Sequence, residues 1–488
     1  MSTSTPDNHD LRRVAPREPM PERLVEIKPP QTYAHALRAL NHLPNLETAK
    51  PGTLSATDYK LARMHALMSQ LGDPHRSLYA VHVAGSKGKG SVAEMAAGAI
   101  AGCGCVVGLH TSPHLVDVRE RIRVGGAMID QDEFTRLLAT ILEAGAEIEP
   151  DCGTLTYFEA TVAMAFLHFA RQAVDVAVIE VGLGGRLDAT NVITPAVSVI
   201  TKIELEHTAI LGGTHAAIAR EKAGICKPGV PVVTLEQEPE AMEAIAAVAD
   251  RIGAPLAVLG RDLDYSQRFE ADADHGPHYR IGLAGPRMSF EHIAVPLAGE
   301  HQARNCGLVL GALDALADRG APITELGVTR GLEAVKPLGR LEPVWDAPRI
   351  VVDGAHTSAS IRALVETVGS YQRYDSMVVV FGCAGDKDTD GMLTEIARVA
   401  DKVVFARCAT SARAADPHKL AARFAELTGT MAQVELTVKD AVNTAARAVG
   451  GDDLILVTGS FYVAGEAKRL FDAKRGANAQ GQAESVPG

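Results

Sequence analysis

Val81-His82-Val83-Ala84-Gly85-Ser86-Lys87-Gly88-Lys89-Gly90-Ser91 decides how this chain is read. A short apolar run, residues 78–84, ends in closely spaced glycines, and small apolar residues suited to a packed helix follow over 92–101. A strand, a glycine loop and a helix in that order open an α/β sheet. The glycines let backbone N–H groups turn toward one anion, and the helix N-terminus adds positive potential. Lys89 is placed to reach the outer phosphates of a nucleotide, and Ser91 to cap the helix or touch those phosphates. The loop is not a strict Walker A. G-x-x-x-x-G-K-[ST] requires Gly where Val83 stands and Ser or Thr where Gly90 stands. By itself the loop supports phosphate binding and no more.

Working outward, residues 33–43 and 59–71 read as helices upstream of the loop. Downstream, apolar runs recur at 174–181, 196–203 and 231–235, with helical stretches such as 158–171 and 214–223 between them. That alternation predicts a mostly parallel sheet covered on both faces. Residues 255–295 break the pattern: short alternating segments at 279–283 and 288–293 predict a small antiparallel insertion. After Val335-Lys336-Pro337-Leu338-Gly339 the pattern restarts, with strand-like runs at 350–352, 377–381, 402–405 and 454–457. The expectation is an N-terminal domain over 30–336, a linker near 336–339 and a smaller α/β domain over 340–474. Polar tails at 1–29 and 475–488 are expected to be disordered.

Composition narrows the function classes. A chain of 488 residues, 47% hydrophobic and 22% charged, is long enough for two domains with a large core. A formal net charge of −12 argues against general binding to nucleic acid or anionic membrane, both of which need a basic surface. No apolar run is long enough to span a bilayer, and the start of the chain lacks a signal-peptide core, so a cytoplasmic protein is expected. The seven cysteines are scattered, Cys103 and Cys105 being the only close pair. No CxxC or Cys/His cluster has zinc-ligand spacing, which leaves buried or incidental thiols in a reducing compartment.

Further blocks surround the loop: Thr111-Ser112-Pro113-His114-Leu115 with Glu120-Arg121-Ile122; Leu155-Thr156-Tyr157-Phe158-Glu159; and Glu180-Val181-Gly182-Leu183-Gly184-Gly185-Arg186-Leu187-Asp188-Ala189-Thr190-Asn191. Later come Glu221-Lys222-Ala223-Gly224-Ile225, His301-Gln302-Ala303-Arg304-Asn305, Gly339-Arg340-Leu341-Glu342 and Asp353-Gly354-Ala355-His356. In order and spacing they resemble the folylpolyglutamate synthase/dihydrofolate synthase family of the Mur ligase superfamily, over about residues 33–471. The resemblance implies an N-terminal P-loop-type ATPase domain, a C-terminal Rossmann-like domain and an active site in the cleft between them. It also implies a reaction. ATP phosphorylates a carboxylate of dihydropteroate or a reduced folate, and the amine of L-glutamate displaces the phosphate to form an amide. ATP and Mg²⁺ are the implied cofactors, with a monovalent cation such as K⁺. The family likeness favours a monomer, and the chain has no coiled-coil heptads.

Roles follow residue by residue. Gly85 to Ser91 (Gly85, Ser86, Lys87, Gly88, Lys89, Gly90, Ser91) match the ATP loop. Ser112, Glu180 and His207 match the magnesium positions. Lys222 matches a lysine that is carbamylated in the family, a change that turns a cation into a carboxylate-like ligand. Asn305 resembles the adenine reader. Arg340 matches a phosphate-contacting arginine that domain closure would deliver. Asp353 and His356 match positions near the ribose and the incoming glutamate. Ser411 and Arg413 are candidates for holding glutamate carboxylates, because Arg binds carboxylate through two N–H groups. His114 and Arg121 fall in the substrate block.

The sequence departs from the family pattern in four places. Ser86-Lys87 replaces Thr-Asn in the loop, Glu206 replaces Asp before the metal histidine, Thr357-Ser358 replaces Asn-Pro, and Leu338 replaces Pro. None removes an expected metal ligand or the phosphate lysine. Two other readings compete. A cell-wall Mur-type ligase would need a UDP-binding domain before Gly85, where little room is left. A non-catalytic nucleotide-binding protein would not need Ser112, Glu180, His207 and Lys222 together.

Overall fold

The computed structural model describes residues 32–47, 61–336 and 338–483, with side chains described as far as 475. Eight strands form the first sheet: β1 (Ala80–Ala84), β2 (Val107–His110), β3 (Ile122–Val124), β4 (Ala127–Met128), β5 (Val176–Glu180), β6 (Val197–Ile200), β7 (Val232–Leu235) and β8 (Leu256–Leu259). Their spatial order is β4-β3-β2-β5-β1-β6-β7-β8. Only β2–β3 and β3–β4 are antiparallel. Central strands of a parallel sheet are covered on both faces, which is why β1 (AVHVA) and β5 (VAVIE) are buried along their whole length. Val83 pairs with Glu180 across β1 and β5, so the glycine loop and the Glu180 carboxyl leave the sheet side by side at its carboxyl edge.

A three-stranded antiparallel sheet follows: β9 (Asp264–Asp272), β10 (Gly276–Ala284) and β11 (Ser289–Ala294), in the order β11-β10-β9. The antiparallel region expected from residue 255 therefore begins later. Residues 256–259 close the edge of the parallel sheet instead, paired with β7. The second sheet system comprises β12 (Glu342–Asp346), β13 (Arg349–Val352), β14 (Met377–Phe381), β15 (Lys402–Phe405), β16 (Gln433–Val434) and β17 (Leu454–Thr458). Its order is β12-β13-β17-β14-β15-β16, parallel except for β12–β13. The described residues are thus α/β, with helices on the faces of two mostly parallel sheets and one small antiparallel sheet between them in sequence.

Helix boundaries follow local chemistry. Thr156 and Glu159 form a reciprocal capping box that starts helix Tyr157–Arg171. Thr214 caps helix His215–Lys222 by accepting the Ala217 N–H. The first expected helix is Tyr33–His42, and the described part of the second is Leu61–Gln70. One expectation fails at the end of the chain. Residues 475–483 belong to helix Phe461–Ala483 rather than to a disordered tail. Ala and Gln there read as low complexity, yet both have good helix propensity. Residues 1–29 and 484–488 lie outside the described residues. Among the described residues no helix is long and apolar enough to cross a membrane.

Helix Lys89–Gly102, which carries the end of the loop, crosses helix Glu325–Glu333 through glycines. A Cβ on Gly98 would lie 2.8 Å from the Gly331 carbonyl oxygen, and one on Gly331 would overlap the Gly98 carbonyl. Gly102 meets Gly327 in the same way. Only residues without a side chain let the two backbones touch.

Candidate active site

The loop is closed on two sides. Gly85 (φ +149°) and Gly88 (φ +89°) have dihedrals that L side chains rarely adopt. A Cβ at Gly85 would collide with Thr201, just past β6, and one at Gly88 would lie 2.5 Å from Asn305 Oδ1. Asn305 projects from helix Glu300–Asp318, so the loop and the adenine-reading candidate are in contact. Lys89 Nζ donates to the Gly85 carbonyl at 3.0 Å, and Ser86 Oγ donates to the Glu204 carbonyl at 3.0 Å. Gly90 and Ser91 begin the helix and are buried.

Beside the loop, the Ser112 N–H donates to Glu180 Oε2 at 2.8 Å. Burial pushes the Glu180 carboxyl up to about 7, against the opposing pull of Lys89, the Ser112 N–H and Arg340. His207 sits at φ 48° at the start of a short helix, and burial lowers its imidazole to about 4, so it is a neutral donor near pH 7. Lys222 is 1% exposed. Its Nζ donates to the Gly85 carbonyl at 2.7 Å and contacts Glu206 Oε1 at 3.2 Å. Burial and the charge of Lys89 lower Lys222 to about 8 despite Glu206. Burial opposes ionisation of Glu206, yet Lys89, Lys222 and Lys87 hold it down to about 2. Two loop lysines and Lys222 behind them thus surround one carboxylate, a local anion site in an acidic protein.

The second domain supplies the facing wall. Arg340 Nη1 donates to the Leu338 carbonyl at 2.8 Å, while Nη2 occupies the space above Gly90. Asp353 accepts the Leu341 N–H at 2.9 Å and the Ala355 N–H at 2.8 Å. Burial raises its carboxyl to about 6. Its Oδ2 therefore holds the turn that aims Arg340, in which Leu341 takes φ 50°, while Oδ1 holds the loop that leads to His356. His356 Nδ1 lies 2.9 Å from the Gly354 carbonyl, and burial together with Lys87 lowers its ring to about 4. Arg413 pairs with Asp386, and its Nη1 lies 3.4 Å from the Glu47 carbonyl of the first domain. Ser411 lines the same cleft, whose volume is about 880 Å³.

Four of the sequence-predicted residues are not on the cleft wall: Gly85, Lys222, His114 and Arg121. Gly85 and Lys222 stand directly behind the loop. Arg121 is 1% exposed and already engaged: Nη1 and Nη2 donate to Glu47 at 2.8 and 2.7 Å, and Nε donates to His114 Nδ1 at 2.9 Å. This bidentate pair leaves no free fork for a substrate carboxylate. Arg121 and His114 support Glu47, and it is Glu47 that faces the cleft. The sequence reading missed Glu47, the buried Arg63–Glu159 ion pair at 2.8 Å, and Lys387, whose amine is lowered by burial and by Lys87 across the cleft. None belongs to a glycine-marked block. Only Glu159 falls in one of the resemblance blocks, residues 155–159, and there it caps the start of a helix with Thr156.

Comparison with known proteins places the chain. Residues 83–313 match the Mur ligase middle domain, and residues 339–461 match the Mur ligase glutamate ligase domain. A probable bifunctional folylpolyglutamate synthase/dihydropteroate synthase of Halobacterium salinarum is 38% identical over 424 residues, 86% of this chain. This chain spans 49% of that relative, about half its length. The dihydrofolate synthase/folylpolyglutamate synthase of Mycobacterium tuberculosis is 35% identical over 445 residues, covering 85% of this chain and 90% of the relative. A crystal structure of the Mycobacterium tuberculosis folylpolyglutamate synthase complexed with ADP and AMPPCP superposes with a TM-score of 0.80 at 33% identity. It covers 90% of this chain and 98% of that one.

Proposed function

From the premise that the chain belongs to the folylpolyglutamate synthase/dihydrofolate synthase family of the Mur ligase superfamily, we propose that it is an ATP-dependent ligase adding L-glutamate to dihydropteroate, to reduced folates, or to both. The observation that carries this reading is the meeting at Gly90. There a phosphate loop from one domain, the Glu180 carboxyl and an arginine from the other domain converge in one cleft.

The residues divide the chemistry as follows. Backbone N–H groups of the loop and Lys89 seat the phosphates. Arg340 faces the charge that develops as the γ-phosphoryl group moves to the substrate carboxylate. Glu180 and Ser112 offer the hard oxygen donors that Mg²⁺ takes, with waters completing its shell, and His207 adds a neutral nitrogen on the same cleft wall. The ion would supply charge neutralisation and in-line orientation of the phosphates. Lys222 has no metal-binding atom as an ammonium. With an amine lowered to about 8, part of it is neutral and open to CO₂ near neutral pH. The amine forms an N–C bond to CO₂ and releases one proton, leaving a carbamate anion that extends the oxygen-donor set. On the other wall, His356, Lys387 and Arg413 line the place for the incoming glutamate. Glu47, held by Arg121, is suited to orient the amino groups of a pterin ring.

The seven unpaired cysteines suit the cytoplasm, and we assign the enzyme there as a monomer. The test is ADP release by the full chain in Mg²⁺ and ATP. Turnover should require L-glutamate together with dihydropteroate or a reduced folate. Stimulation by a UDP-muramyl substrate, with none by any folate, would overturn the substrate assignment.

A further inference from the structure

We propose that the β9–β10 hairpin holds one divalent transition-metal ion of the zinc class through Asp272, His275 and His278, with Glu270 beside them. The hairpin lies outside the ligase cleft, and none of these four residues lines it. One candidate ligand atom from each of Asp272, His275 and His278 lies within 4.8 Å of the others.

The decisive side chain is His278. It is 4% exposed, facing Glu270 across the β-ladder. Its Nδ1 lies 2.9 Å from the Gly276 carbonyl, which can only accept, so Nδ1 carries the hydrogen. In the neutral ring Nε2 then presents a lone pair. That atom is buried and has no hydrogen-bond partner. It points at Glu270 Oε1, 3.6 Å away, and at Asp272 Oδ2, 3.7 Å away. A lone pair aimed at two carboxylate oxygens is repulsive, and the gaps are too long for hydrogen bonds. A cation between them reverses the sign. Two ligands of a tetrahedral zinc-type ion, each about 2 Å from it, stand roughly 3.3 Å apart, so a small contraction closes the site.

The surroundings are arranged to hold that geometry. The Asp272 Oδ1 atom accepts the N–H groups of Asp274 and His275 at 3.0 and 2.7 Å, which fixes the turn and brings the His275 ring to 4.9 Å from that of His278. His275 Nδ1 lies 3.1 Å from Asp272 Oδ1, which leaves its Nε2 available. Arg280 donates to Asp272 Oδ2 at 2.8 Å and to Glu270, fixing both carboxylates from outside. Imidazole nitrogens with carboxylate oxygens suit a zinc-class ion better than Mg²⁺ or Ca²⁺, which favour all-oxygen sets. The His275 side chain is 33% exposed, giving the ion a path from solvent. The same strands carry Phe269 and Tyr279, and Phe269 packs on Tyr371 of the second domain with ring centroids 5.4 Å apart. An ion here would fix the hairpin that makes this contact between domains.

The test uses the full chain stripped of metal with a chelator. Zn²⁺ binding is measured by calorimetry, and Co²⁺ binding by its visible absorption. One equivalent of either metal should bind at the hairpin, distinguished from any uptake by the cleft because it survives in His207→Ala, and Zn²⁺ should raise the Tm. His275→Ala removes a partly exposed ligand and should weaken binding at least ~10-fold, with the same loss for His278→Gln. His207→Ala, in the ligase cleft, should leave this binding unchanged. The proposal is overturned by the absence of stoichiometric binding. It is also overturned by equal affinity in His275→Ala and parent, as expected if a protonated His278 simply pairs with the carboxylates, or by loss of binding in His207→Ala with retention in His275→Ala.

Discussion

Replacing Arg340 with Ala tests whether the second domain takes part in phosphoryl transfer. Arg340 Nη2 fills the space over Gly90, in the first turn of the loop helix. A phosphoryl group seated on the N–H groups of that turn would therefore lie about 4 Å from the guanidinium. At an effective dielectric of about 20, a unit charge pair at that distance is worth about 4 kcal/mol. If that interaction develops mainly in the transition state, its loss lowers kcat by roughly 10³-fold. Nucleotide binding should change far less, because the loop and Lys89 remain. Steady-state ADP release gives kcat, and titration of the full chain with a fluorescent ATP analogue gives affinity. Arg340→Lys should recover only part of the loss, because an ammonium lacks the planar fork. The reasoning is refuted if Arg340→Ala keeps kcat within about fivefold of the parent, or if it loses nucleotide affinity and kcat in equal measure.

Three further outcomes are expected. Lys222→Arg keeps a cation but cannot form a carbamate, so turnover should fall at least ~100-fold; the parent in ¹³C-bicarbonate should show a protein carbamate resonance that the variant lacks, and near-normal turnover would end the idea. The Glu180 carboxyl is raised to about 7, above its ordinary range, so a proton competes with Mg²⁺ below that pH; the Mg²⁺ concentration for half-maximal rate should rise about fivefold as pH falls from 7 to 6 and change less than about twofold above 7, and a flat profile across that window would remove Glu180 from the ion. Gly331→Ala forces a methyl group onto the Gly98 carbonyl; overpacking of about 1–3 kcal/mol should lower the Tm by at least ~2 °C, and an unchanged melt would show that the two helices are not held in backbone contact.

The candidate site is legible in the sequence through its glycines and the residues beside them. The loop at 85–91, Glu180 at a strand end and Arg340 after the linker sit where a short motif fixes a backbone turn, so their positions follow from local chemistry. Arg121 shows the limit. Its block was recognisable, but its partner Glu47 lies 74 residues away, and no periodicity links them. A buried guanidinium will take whichever carboxylate the fold brings near, and that is a property of tertiary packing. Residues 256–259 were misread because a short apolar run beside an antiparallel sheet fits either neighbour until the pairing with β7 is known. The His278 cluster has no sequence signature because two of its four members are carboxylates, which carry no cysteine or histidine spacing.

The glycine crossing of the two helices has a mechanical meaning. Helix Glu325–Glu333 leads directly into the linker and on to Arg340, and Val335 in that linker also packs against Gly98. Helix Lys89–Gly102 starts at the phosphate loop and ends at the same crossing. The two meet backbone to backbone at Gly98–Gly331 and at Gly102–Gly327. Nucleotide loop and arginine-bearing segment thus hang from one shared backbone contact, and a residue that pushes the two helices apart would displace both at once.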